Sequence, residues 1–103
     1  MSLLAEVKSL VVEVNKLHPE DPKVYEYWEK LTELLSKDES STLSLFNDLD
    51  DSDIVEDLSS VFDDVSRNLQ SKDFILCIES LERRYPDLML EHMIQAAKDA
   101  LID

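Results

Sequence analysis

The sequence predicts an all-α chain, a single compact bundle of five or six short helices spanning residues 1–103 as one domain. Three observations predict it. Apolar residues recur at three- and four-residue spacing along the chain, and no segment shows the period-two alternation and β-branched richness of a strand. Serine, aspartate and proline punctuate those runs where helices start and stop. Glycine is absent, which disfavours tight hairpins, because their turns need residues at positive φ. A chain of this length buries about 65% of the surface it exposes unfolded, enough for one core. Its 44% hydrophobic content supplies the apolar area despite 33% charged residues.

The first helix is capped by Ser2 and carries Leu3, Leu4, Val7, Leu10, Val11, Val14 and Leu17 on one face. It stops near His18, because Pro19 and Pro22 cannot continue it. Asp21-Pro22 then reads as a cap and first turn, and Val24, Trp28, Leu31 and Leu35 form the stripe of a second helix reaching about Lys37. Glu26 with Lys30 and Glu33 with Lys37 are acid-before-base pairs at four-residue spacing on its outer face. Ser40, Ser41 or Thr42 caps a short third helix through Leu43, Phe46 and Leu49. Asp51 or Ser52 caps a fourth, with Ile54, Leu58, Val61, Phe62, Val65 and Leu69 inward. Ser71 caps a fifth, through Phe74, Ile75, Ile78 and Leu81, which Pro86 ends. A sixth starts near Glu91 and places Met93, Ile94, Ala97 and Leu101 inward.

Composition also bounds function. Without glycine there is no phosphate-cradling loop and no dinucleotide fingerprint. The net charge of −14 makes direct binding to nucleic acid or an anionic membrane repulsive and favours a basic protein partner. One cysteine, no leader and no 18-residue apolar run point to a reducing cytoplasm.

The charge is unevenly spread. Between Lys37 and Arg67 stand ten acids and no base: Asp38, Glu39, Asp48, Asp50, Asp51, Asp53, Glu56, Asp57, Asp63 and Asp64. On a continuous fourth helix, Asp53, Glu56, Asp57, Ser60, Asp63 and Asp64 lie opposite the apolar stripe, so with the loop acids they form one negative surface. Such a face serves solubility, or it receives a basic protein whose charge relieves the self-repulsion. The partner-binding set on this reading is Asp48, Asp50, Asp51, Asp53, Glu56, Asp57, Asp63 and Asp64, joined by Tyr25 as an exposed aromatic on the charged side of the second helix.

No metal, cofactor or catalytic set is expected. Asp48, Asp50 and Ser52 match the first, third and fifth positions of a calcium loop, but Asp53 stands where its sharp turn wants glycine and Ser59 where it needs a bidentate glutamate. His18 and His92 lack metal-ligand spacing, and Cys77 falls on the core side of its helix as an inert thiol. The absence of a nucleophile–base pair or a metal set argues against an enzyme.

Two resemblances bear on function. The stretch from Ser59 to Ile75, containing VFDDVS and LQSKDFI, and the RRYPDL from Arg83 to Leu88 before a terminal helix, resemble small bacterial immunity proteins encoded beside polymorphic or contact-dependent toxins, over about residues 24–101. That resemblance implies a cytoplasmic inhibitor of one toxin domain, often a nuclease with a basic active site. An acidic adaptor or regulator that docks on a basic protein is the alternative. Asp51-Ser52-Asp53 at a helix start also resembles the attachment region of acyl carrier proteins, which would make Ser52 a phosphopantetheine site. This sequence has Asp53 where that family has leucine, and Leu49-Asp50 where it usually has glycine.

Overall fold

The computed structural model describes residues 2–102. Among these residues seven α-helices follow in order: α1 (Leu3–Lys16), α2 (Lys23–Leu35), α3 (Glu39–Asp48), α4 (Ser52–Ser59), α5 (Phe62–Leu69), α6 (Lys72–Arg84) and α7 (Glu91–Asp99), with a 3-10 turn at Pro86–Leu88. No strand occurs among the described residues. The predicted class holds, and the helix count exceeds the expected five or six because the fourth helix is two.

That break lies at Ser60-Val61. The tight bonds Ser60 N–H to Asp57 C=O and Val61 N–H to Leu58 C=O end α4, and the Ser59 hydroxyl turns back onto the Glu56 carbonyl at 2.6 Å. Adjacent serines offer the backbone an alternative to the helical ladder, and three-residue bonds tighten the last turn. Ile54, Val55, Leu58, Val61, Phe62 and Val65 are all buried, so apolar spacing runs through the break without registering it.

The caps follow the sequence closely. Ser2 accepts from the Ala5 N–H, Asp51 from the Asp53 N–H and Ser71 from the Phe74 N–H. The Asp21 carboxylate accepts from the Lys23 N–H at 2.9 Å, holding the start of α2 just beyond Pro22. The expected serine or threonine cap of α3 is replaced by Asp38, which accepts from the Ser41 N–H. Thr42 is instead buried and donates to the Leu35 carbonyl, tying α3 to the end of α2. Neither Glu26 with Lys30 nor Glu33 with Lys37 closes into an ion pair among the described residues; Lys30 lies over the Tyr27 ring at 5.2 Å. Compact attraction to a π face competes with an exposed carboxylate at little difference in energy.

The core is one cluster fed by every helix. Phe46 of α3, Phe62 of α5 and Phe74 of α6 meet edge to face at centroid distances of 5.8, 5.6 and 6.3 Å, the arrangement aromatic quadrupoles favour. Around them α5 packs on α7, α1 on α2, and α3 on α6. Ser66, buried on α5, donates to the Ala97 carbonyl of α7 at 2.6 Å. Met93, expected inward, is exposed, and Leu90 takes the buried position before α7.

With no glycine, two other residues among those described adopt the left-handed conformation. Gln70 (φ 48°) recovers its cost through its side chain, donating to the carbonyls of Arg67 and Ala100 and accepting from the Ile102 N–H. Met89 (φ 54°) ends the 3-10 turn and is 79% exposed. Left-handed backbone costs an ordinary residue about 1–2 kcal/mol, partly offset in glycine by its greater unfolded-state freedom. Met89→Gly is therefore expected to stabilise the protein by about 0.5–1 kcal/mol and raise its melting temperature by a few degrees, whereas Gln70→Gly lowers it. Thermal melts of both variants check the pair, and a destabilised Met89→Gly contradicts it.

Candidate functional site

The acids enter the structure on three consecutive elements. Asp48 closes α3, Asp50 and Asp51 form the connection, and Asp53, Glu56 and Asp57 lie on α4. Asp48, Asp50, Asp51, Asp53 and Glu56 are exposed, while Asp57, Asp63 and Asp64 are partly buried. Ser52 is the first residue of α4, partly buried, and follows the Asp51 cap.

The break at Ser60-Val61 separates the acids that a continuous helix would have aligned. α4 packs against α1, and the Asp57 carboxylate accepts from Asn15 Nδ2 of that helix at 3.2 Å. α5 packs against α2 and α7, and Asp64 pairs with Arg67 at 2.9 Å beside α2. The acids expected on one helix thus stand on two, Asp53, Glu56 and Asp57 on α4 and Asp63 and Asp64 on α5. Asp63 and Asp64 also occupy the first turn of α5, where the helix dipole favours negative charge. Tyr25 stands on α2, 74% exposed.

Sequence reasoning missed the residue that fixes the acidic connection. Arg84, at the end of α6, donates through Nη2 to the Phe46 carbonyl at 2.9 Å, and through Nη1 to the carbonyls of Leu49 at 3.1 Å and Asn47 at 3.4 Å. These carbonyls lie at the end of α3, where only that of Phe46 has a backbone partner, the Leu49 N–H at 3.4 Å, and a cation there also meets the negative end of the helix dipole. The Tyr85 hydroxyl donates to Leu49 as well, at 3.4 Å. Arg84 and Tyr85 thereby set the direction in which the chain leaves α3 towards Asp50 and Asp51. Only the RRY string at a helix end hinted at this, since basic residues there can bind terminal carbonyls.

Cys77 is buried on α6, with its Sγ 3.5 Å from Asn47 Oδ1 and 3.8 Å from the Leu43 carbonyl. Burial pushes its thiol above the ordinary range, and the Arg84 guanidinium pulls it part of the way back. A thiol held protonated is a weak nucleophile. Among the described residues no three His, Cys, Asp or Glu side chains converge on a metal position, and no helix is long and apolar enough to cross a membrane.

A groove of about 440 Å³ opens between α2 and α5. Trp28, Glu29 and Glu33 form its α2 wall, and Asp64 and Arg67 its α5 wall. Trp28 is partly buried and packs against the core as well. Comparison with protein-family models, with curated proteins and with solved structures returns no match.

Proposed function

We propose that this chain is a binding protein without catalysis of its own, which neutralises a basic protein, foremost a cognate toxin domain, in the cytoplasm. The observation that carries the reading is the ten acids and no base between Lys37 and Arg67, which hold ten of the fourteen net negative charges. Asp48, Asp50, Asp51, Asp53 and Glu56 are exposed at the α3–α4 connection and on α4. Such a surface stands in for phosphates in a nucleic-acid cleft: it draws a basic partner in at long range and occupies the site the polyanion would fill. Close packing of like charge disfavours the free state and is relieved in the complex.

The test uses a fourfold variant, Asp50→Asn, Asp51→Asn, Asp53→Asn and Glu56→Gln. Asparagine caps helices about as well as aspartate, so the start of α4 survives and the melting curve is expected to be preserved. The domain encoded directly upstream is expressed, and both forms of this protein are assayed for protection and for association rate. The wild type is expected to protect; the variant associates about tenfold more slowly at low salt, with a flatter salt dependence. A folded variant that protects and associates as fast as wild type moves the interface elsewhere, with Tyr25 and α2 next. A wild type that neither binds nor protects removes the toxin reading for that neighbour.

A further inference from the structure

We infer that the groove between α2 and α5 receives an arginine side chain of the basic partner, its guanidinium stacked on Trp28 and paired with Glu29 and Glu33; this rests on the reading of the chain as a binder of basic protein. The groove joins an aromatic wall to an excess of carboxylate. Trp28 lines it beside Glu29, Glu33 and Asp64, against the one cation Arg67. Glu29 and Glu33 are one helical turn apart on α2, are exposed, and have no ion-pair partner among the described residues. Like charges at that spacing repel, and a cation between them removes the repulsion. Tryptophan offers the best aromatic face for a cation, and a planar guanidinium can stack on it while its edge meets a carboxylate, which the compact ammonium of lysine cannot do.

Arg67 already shows a guanidinium at the groove's edge. Its bond to Asp64 spans 2.9 Å, with the two side chains 62% and 50% exposed, so it is held by a solvated pair that an incoming arginine can displace. Arg67 is thus an internal competitor for the groove's carboxylates. Removing it should strengthen binding by more than the loss of one positive charge elsewhere on the protein does, an excess that a purely structural role for Arg67 would not produce.

The probes are acetyl-tetraarginine amide and acetyl-tetralysine amide, equal in charge, titrated at low salt onto the full chain. Trp28 is the sole tryptophan, so its fluorescence reports entry into the groove directly. Tetraarginine is expected to change the emission saturably and to bind at least about threefold more tightly than tetralysine. The double variant Glu29→Gln, Glu33→Gln, folded by circular dichroism, should bind it about tenfold more weakly. Arg67→Gln should bind it about threefold more tightly than Lys98→Gln, a variant of the same net charge whose lost ion pair, with Glu79 at 3.0 Å, lies between α6 and α7. Calorimetric binding that leaves Trp28 emission flat and disappears in the fourfold acidic-surface variant overturns the groove while supporting the acidic surface. Equal affinity for the two peptides, or equal behaviour of Arg67→Gln and Lys98→Gln, overturns the arginine assignment. Absence of binding to either peptide by calorimetry overturns the groove, while the acidic-surface reading stands or falls separately with protection and association in the assay against the upstream domain.

Discussion

Phe62→Ala is expected to destabilise the protein by about 3–5 kcal/mol, the range for removing a fully buried aromatic ring. Phe62 is inaccessible to solvent and contacts both Phe46 and Phe74, so its loss empties the junction at which α3, α5 and α6 meet. A small domain has a total stability of about 5–15 kcal/mol, so the variant stands near the folding threshold. Leu58→Ala, equally buried on α4, should cost about 2–5 kcal/mol. Asp63→Ser, next to Phe62 in the chain, should change stability by under about 0.5 kcal/mol, because lost attraction to the helix dipole is offset by relief of acidic repulsion. Urea denaturation of the three variants decides the matter. Equal damage from Asp63→Ser and Phe62→Ala would mean that α5 presents the opposite face to the core.

Arg84→Met is expected to cost about 1.5–3 kcal/mol, towards the lower end because part of the guanidinium is solvated. The substitution keeps an unbranched apolar stem and deletes the three donated bonds to Phe46, Asn47 and Leu49. The Phe46 carbonyl then keeps only the Leu49 N–H, the Leu49 carbonyl only the Tyr85 hydroxyl, and the Asn47 carbonyl turns to water. The consequence extends beyond stability: amide exchange should accelerate between residues 48 and 53, and association with a basic partner should slow although no acid has been removed. Hydrogen exchange followed by mass spectrometry reads the first effect and stopped-flow association the second. Unchanged exchange in that segment would show that Arg84 does not hold the connection.

These two residues mark different depths of legibility. Phe62 was readable as core because helical spacing places it on the same stripe as Leu58 and Val65. Arg84 was not, because its partners are 35 to 38 residues away and nothing local distinguishes it from Arg83. The acidic residues were legible as composition, since charge is a property of the residues themselves. Their division between two helices, α4 and α5, was not, because the apolar pattern from Ile54 to Val65 suits one helix or two equally well.

What the sequence by itself determined is therefore the local part: the all-helical class, the starts set by Ser2, Asp51 and Ser71, the stop imposed at the first prolines, and the excess of acid in the middle of the chain. Each depends on interactions within one helical turn, or on no interaction at all. Tertiary structure alone decided the break at Ser60-Val61, the phenylalanine junction, the clamp of Arg84 on the end of α3, and the meeting of Trp28, Glu29 and Glu33 with Asp64 across a groove. Those features join residues far apart in the chain, and they form only when burial of the shared core brings the helices together, at an entropic cost that local preference cannot meet.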